Sequence, residues 1–249
     1  PDSFSDGGRY NSMDTALSHT EAMLEEGAAF IDIGGYSSRP GADDISPDEE
    51  LGRIQEIVFA IRSRFPEALL SIDTFRARVA EAMLEAGGHL INDISGGLFD
   101  ERMLEVVARY QAPYVMMHIQ GTPQTMQKNP TYTNVVEEVW DHLNERIKAA
   151  KAAGITDIVL DPGFGFGKRI EHNYDLFRNL DKIKIFGLPL LVGISRKSMV
   201  YRLFNTTPDQ ISHLSAALHL KALESGAQIL RVHDVKPTVQ TISLYQYLT

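Results

Sequence analysis

The sequence predicts a (β/α)₈ barrel, and three observations predict it. Short apolar runs rich in β-branched residues alternate with helix-period segments along the whole chain. The seven runs end in polar or glycine residues, and the strand ends are where a barrel carries its chemistry. Before them stands a helix behind the turn-like segment Pro1-Asp2-Ser3-Phe4-Ser5-Asp6-Gly7-Gly8, a segment that needs an element ahead of it, so the first of the eight strands is expected to lie before Pro1.

The strands are read at 29–33, 68–72, 90–94, 112–117, 157–160, 188–194 and 228–232. Helical periodicity is read at about 13–27, 47–65, 75–87, 99–110, 133–153, 171–183 and 208–224, with a last helix at about 236–248. Gly27, Gly87, Gly154 and Gly226 stand where a C′ glycine ends a helix, and Ser46-Pro47 places a cap before an N1 proline. An open doubly wound sheet is the alternative architecture. It would want G-x-G-x-x-G opening a helix, and Gly163-Phe164-Gly165-Phe166-Gly167-Lys168 lacks that spacing and is no Walker loop. With no internal repeat, low-complexity tract or linker, one domain is expected across residues 1–249.

Composition narrows the chemistry. A chain of 249 residues with 43% apolar content buries roughly three quarters of its unfolded surface. The absence of cysteine excludes disulfides, thiolate zinc sites and cysteine nucleophiles, leaving oxygen and nitrogen groups. A net charge of −9 without a Lys/Arg cluster argues against nucleic acid as a partner. No uninterrupted apolar run reaches the ~18 residues of a membrane span, and no basic-then-apolar leader opens the chain, so the expected compartment is the cytoplasm.

The strand ends are polar in order. The run 29–33 carries Asp32 and leads into Gly34-Gly35-Tyr36-Ser37-Ser38-Arg39-Pro40-Gly41; 68–72 is followed by Asp73; 90–94 carries Asn92 and Asp93. The run 112–117 ends at Met117-His118, 157–160 at Asp161-Pro162-Gly163, 188–194 at Ser195-Arg196-Lys197-Ser198, and 228–232 at Arg231-Val232-His233. A single Asp or Asn at a strand end more often caps the next helix, and Asp32 and Asp93 keep that ordinary reading. Seven polar ends acting together favour a site. Arg231 and His233, two apart on a strand, would share a face and meet one anion. Lys197 lies in a hydroxyl-rich basic turn suited to a phosphate or a ring carbonyl. Met116, Met117 and Phe166 suit either ordinary packing or a flat aromatic ligand. His19, His89, His142, His172, His213 and His219 fit no metal-ligand spacing such as H-E-x-x-H and are read as structural or exposed.

These segments together resemble the dihydropteroate synthase family. The resemblance runs through Pro1 to Gly8, Asp32-Ile33-Gly34-Gly35 with Ser38-Arg39-Pro40-Gly41, Ser71-Ile72-Asp73-Thr74 and Asn92-Asp93-Ile94-Ser95-Gly96-Gly97. It continues through Met117-His118 with Gly121-Thr122-Pro123, Asp161 to Lys168, Ser195 to Ser198 and Arg231-Val232-His233. The resemblance implies condensation of a pterin-methyl diphosphate with p-aminobenzoate and loss of pyrophosphate. It implies a pterin pocket of Asp73, Asn92, Met117, Asp161 and Lys197, and a diphosphate site of Arg39, Arg231 and His233. Asp73, Lys197, Arg231 and His233 would be the catalytic groups. The p-aminobenzoate site would take Phe4, Ser38, Arg39, Pro40, Gly165, Phe166, Lys197 and Ser198. Magnesium beside the diphosphate, sulfonamides as competitors and a homodimer formed through helices near the chain end belong to the same expectation. The family's strand-one asparagine, which contacts the metal, would precede Pro1, so no metal ligand is named. Tyr36 and Ser38 depart from the family's usual Glu and Thr, which leaves sulfonamide affinity open. A corrinoid methyltransferase of the same superfamily would share Asp73, Asn92 and Asp161 without needing Lys197-Ser198 or Arg231-x-His233. A pterin carrier without turnover is the other alternative.

Overall fold

The computed structural model describes residues 13–39 and 42–249. Strands and helices alternate as α1 (Met13–Glu25), β1 (Phe30–Ile33), α2 (Pro47–Arg64), β2 (Leu69–Asp73), α3 (Ala77–Glu85), β3 (Leu90–Asp93) and α4 (Met103–Tyr110). They continue as β4 (Tyr114–Met117), α5 (Val135–Ala152), β5 (Ile158–Asp161), α6 (Ile170–Arg178), β6 (Leu191–Val192), α7 (Ser198–Tyr201), α8 (Ser212–Glu224), β7 (Ile229–Leu230) and α9 (Val235–Leu248).

The first five strands pair in chain order, all parallel, and β6 pairs with β7 in the same sense. A bridge between Leu160 and Leu190 joins the two ladders. Among the described residues no ladder joins β7 to β1. The sheet is nonetheless rolled: Arg231, just after β7, donates to Asp32 of β1 at 2.6 Å. In a flat sheet the outer two of seven strands would lie about 29 Å apart. That contact rules out the open doubly wound alternative and gives the barrel.

Local sequence explains the elements. Ser46 caps α2 by accepting from the Glu49 N–H at 3.1 Å, Pro47 opens the first turn, and Asp48, Glu49 and Glu50 face the positive end of the helix dipole. One carboxylate serves two helices, because Asp100 accepts from the N–H of Ala77 at 2.8 Å and of Arg102 at 3.0 Å. This explains why α3 and α4 begin later than periodicity suggests. The helix expected over 171–183 breaks at Asn179, whose side chain donates to the Asp175 carbonyl at 2.8 Å, and the chain continues as a 3₁₀ helix over Leu180–Phe186. The strand expected over 188–194 is shortened to Leu191 and Val192, with a single bridge at Leu190 ahead of it. Pro189 has no N–H to give, and the Leu190 N–H goes instead to the Gln228 side chain at 2.8 Å.

Period-two alternation sorts the strand residues. Ile31, Leu70, Ile72, Ile91, Tyr114, Met116 and Leu160 belong to the main core, together with Ile54, Val58, Met83, Met103 and Leu143 of the helices. Each such side chain contributes about 1.5–3 kcal/mol when fully buried. The opposite parity builds a separate plug inside the barrel from Leu90, Val115, Val159 and Leu191, with Ile229 against it. That plug closes the amino-terminal half and leaves the carboxyl-terminal half for a cleft.

Candidate active site

Two residues past the plug on β3, β4 and β5, the inward positions bring an amide, a thioether and a carboxylate to the cleft. Asn92 follows Leu90, Met117 follows Val115 and Asp161 follows Val159, while Asp32 and Asp73 share that parity on β1 and β2. The register sets Asp73 beside Asn92 and Met117 beside Asp161. Backbone pairing alone therefore brings groups distant in sequence to one rim.

Arg231 closes the ring. Its Nε donates to Asp32 at 2.6 Å and its Nη2 to Asp73 at 2.8 Å. Asp32 also accepts from the Ser71 hydroxyl at 2.6 Å and from the Asn92 amide at 3.4 Å. Two carboxylates thus share one guanidinium. Burial pushes Asp73 up to about 7, with Arg231 pulling the other way and Asp32 adding to the rise. Asp32 in turn holds Arg231 firmly charged, with burial opposing and Asp73 adding. The Arg231 side chain stays 41% exposed, so an anion arriving from the open end can reach it.

Asp73, Asn92, Met117, Asp161, Lys197 and Arg231 line one cleft, together with Ile94, Phe164, Phe166 and Gly193. It opens to solvent at the carboxyl-terminal end of the barrel and sets carboxylates, an amide and two cations against apolar walls. Asp161 is buried and accepts from the Gly163 N–H at 2.7 Å. Burial raises its pKa, while that N–H and the charges of Lys197 and Arg231 keep it down. Burial lowers Lys197 to about 8; Arg231 acts in the same sense, and Asp161 and Asp73 oppose it. The Lys197 ammonium lies 4.4 Å from the centre of the Phe166 ring, which puts a cation over the face of an aromatic wall. Gly165 stands beside the Lys197 stem, where an added Cβ would come within 3.3 Å of Cδ.

The remaining expected site residues are placed differently. Arg39 is exposed and is not part of the cleft lining, and neither is the half-buried Ser38. Ser198 lines a neighbouring cavity with Arg169 and Arg202. His233 turns to Ser195, with ring Nδ1 and hydroxyl 3.2 Å apart, while Arg231 turns to the carboxylates. The shared face expected for the pair fails: the last bond to β6 runs from the Arg231 N–H to the Val192 carbonyl at 3.1 Å, and His233 lies beyond it. Phe4 and Pro40 lie outside the described residues.

Asp32 and Asp93 part company. Asp93 keeps its ordinary role: it faces outward and accepts from the N–H groups of Ser95 and Gly97 and from the Tyr114 hydroxyl at 2.6–2.8 Å. Asp32 is a correction. It accepts from the side chains of Ser71, Asn92 and Arg231 rather than from local N–H groups, and so braces two residues of the cleft lining, Asn92 and Arg231. Its parity with Phe30, Asp73 and the plug was the available signal. His89 is structural, accepting from the Leu70 N–H at 3.1 Å. Tyr36 packs edge-on to Phe75 at 4.9 Å, beneath the Arg76 guanidinium at 5.1 Å, and is hydrogen-bonded to Gln124. The loop after β1 is thereby tied to the loop after β4. Among the described residues no group of three or more carboxylate or imidazole side chains could hold a metal ion.

The profile of the family described as "Pterin binding enzyme" matches residues 1–233. The chain is similar to the dihydropteroate synthase of Escherichia coli (strain K12), 45% identical over 248 residues that cover 99% of this chain and 87% of that protein. It is also 45% identical to the dihydropteroate synthase of Haemophilus influenzae, over 99% of this chain and 90% of that protein. Among solved structures, Yersinia pestis dihydropteroate synthase in complex with a sulfonamide drug aligns with a TM-score of 0.96 and 46% identity, covering 100% of this chain and 90% of that one. The Xanthomonas albilineans dihydropteroate synthase with 4-aminobenzoic acid aligns with a TM-score of 0.90 and 39% identity, covering 98% of this chain and 88% of that one. The polar cleft, the barrel around it and these similarities agree, and the chain belongs to the dihydropteroate synthases of the pterin-binding enzyme family.

Proposed function

We propose that the cleft joins the methylene carbon of a dihydropterin diphosphate to the amine of p-aminobenzoate, giving 7,8-dihydropteroate, pyrophosphate and a proton. The observation that carries this reading is the gathering of Asp73, Asn92, Asp161, Lys197 and Arg231 around one cleft with Met117 and Phe166 as apolar walls. A pterin presents an amide N–H beside an exocyclic amine, and a carboxylate such as Asp161 accepts both in a bidentate pair. Asn92 offers a donor and an acceptor to ring nitrogens. Lys197 donates to the ring carbonyl.

The bond from carbon to diphosphate oxygen breaks, and the amine nitrogen supplies the new pair to carbon. Charge develops positively on the pterin and negatively on the leaving group. Asp73 stands on the side that favours the cation, and Arg231 neutralises the anion. His233 and Arg39 are proposed to join Arg231 at the diphosphate once loops close over it. Phe166 and Gly165 form one side of the aminobenzoate pocket, with Ser38 and Ser198 on the approaching loops.

Magnesium is proposed to arrive with the diphosphate, because such an ion is held mainly by phosphate oxygens, water and one or two carboxylates. The described residues build no metal cage of their own, so no step is assigned to the ion. Sulfonamides are proposed as competitors for the aminobenzoate pocket, supported by the drug complex of the Yersinia relative. A homodimer is supported by the exposed apolar side chains Leu244, Tyr247 and Leu248 on the last helix. A cytoplasmic location is supported by a charged diphosphate substrate that does not cross a bilayer unaided, and no described helix is long and apolar enough to span one. One domain over residues 1–249 is part of the same reading.

The test is product formation. The protein, given both substrates and Mg²⁺, should convert them to 7,8-dihydropteroate in proportion to the aminobenzoate consumed. A protein that binds the pterin tightly and makes no product would fit the carrier alternative instead.

A further inference from the structure

Lys168 has no part in the chemistry above, yet it is a lysine only 3% exposed at the end of the loop that forms the aminobenzoate side of the cleft. Burying an ammonium group is costly unless it is fully hydrogen-bonded. Its Nζ donates to the Gly163 carbonyl at 2.8 Å and the Phe166 carbonyl at 3.1 Å and lies 2.8 Å from His118 Nδ1. Burial lowers Lys168 to about 7, with Asp161 opposing and Lys197 adding to the fall, and the two carbonyl bonds hold in either protonation state. Burial, with Lys168 alongside, lowers the His118 pKa and keeps its ring neutral, as an accepting Nδ1 requires.

Other side chains bind the same loop from outside. Asn173 accepts from the Gly165 N–H, Tyr132 donates to the Gly167 carbonyl and Gln127 to the Gly165 carbonyl, each at 2.7 Å. Lys168 spans the loop from Gly163 at its start to Phe166 and ties both to the end of β4 through His118.

We propose that Lys168 is a positioning residue for the second substrate: its ammonium group fixes the carbonyls of Gly163 and Phe166 against His118 and thereby holds the Phe166 ring under Lys197. The proposal rests on the assignment of Gly165 and Phe166 to the aminobenzoate pocket. Asp73 and Asn92, which hold the pterin on that reading, stand on strands, and Asp161 stands at the end of β5 with one bond to the loop, from the Gly163 N–H.

The experiment is steady-state kinetics of Lys168→Met, of similar length but without donors, beside the wild type, varying each substrate separately. KM for p-aminobenzoate should rise about tenfold or more, with KM for the pterin diphosphate changed less than about threefold. A purely structural lysine would lower thermal stability without this split, and an equal change in both constants, or in neither, overturns the proposal. If Lys168→Met does not fold, His118→Leu decides: it removes one acceptor and leaves both carbonyls, so the aminobenzoate KM alone should rise, about threefold. No selective rise there overturns the proposal equally. Absence of product with the wild type would remove the proposed function and this proposal with it, whereas wild-type turnover without the split removes this proposal alone.

Discussion

Asp32 and Arg231, 199 residues apart in sequence, meet at 2.6 Å across the mouth of the barrel. The contact sets a carboxylate against the group proposed to take the diphosphate. Asp32 therefore orients Arg231 and also competes with the anion for it. Asp32→Asn should leave pyrophosphate affinity unweakened, because the Arg231 charge is less opposed, while kcat falls about 10- to 100-fold as its orientation loosens. Calorimetry with pyrophosphate beside turnover measures both. A tenfold loss of pyrophosphate affinity would show that Asp32 helps to bind the anion and does not merely position Arg231.

Asp161 and Arg231 should separate in a binding experiment. Asp161→Ala removes the acceptor for the guanidine-like edge of the pterin, and affinity should fall about 100-fold for the pterin with or without its diphosphate. Arg231→Ala should weaken only the diphosphate form, by about 10- to 100-fold. Equal affinity of the wild type and Arg231→Ala for the diphosphate form would remove the anion role.

Two glycines give a graded test of the loop after β5. Gly163 sits at φ +70°, and a Cβ there would come within 1.9 Å of the His118 carbonyl oxygen. Gly154, at φ +95°, has nothing within 4 Å of the same position. Gly154→Ala should cost about 1 kcal/mol of stability through strain alone, and Gly163→Ala more than about 3 kcal/mol with loss of activity. Denaturant midpoints with equal losses for the two would contradict the packing of this loop against the end of β4.

Three histidines predict the acid response. Burial lowers His118, His142 and His219, the last two to about 4. The unfolded chain takes up protons near pH 6.5 that these folded histidines refuse, so their contribution to stability is full above that pH and is lost as pH drops from about 6.5 towards 4, while Asp73, raised by burial to about 7, acts in the opposite sense over the same window. Each histidine adds a slope of up to about 1.4 kcal/mol per pH unit. His219→Leu should flatten the unfolding free energy measured across that window. An unchanged slope would mean that His219 takes up its proton in the folded state.

Strand order, helix order and the polar rim are legible because period-two alternation and polar strand ends are local signals. The resemblance singles out Asp73, Asn92, Met117, Asp161, Lys197 and Arg231 from that rim, and these six line one cleft. Asp32 was passed over because an Asp at a strand end usually serves nearby N–H groups, as Asp93 does. Parity separates the two, since Asp32 is in phase with the plug and Asp93 is out of phase. Placing His233 beside Arg231 needs β7 to run to 232, whereas its last bond to β6 is made by the Arg231 N–H. The break at Asn179 and the shared cap at Asp100 depend on side-chain bonds to backbone groups, and periodicity carries no trace of either.

Pyrophosphate release tests the central claim most directly. The protein is mixed with the pterin diphosphate and Mg²⁺, with and without p-aminobenzoate, and pyrophosphate is followed in time. Sustained release that requires p-aminobenzoate, and that Asp161→Ala abolishes, is the predicted result. No release from a protein that still binds the pterin diphosphate would contradict the synthase reading.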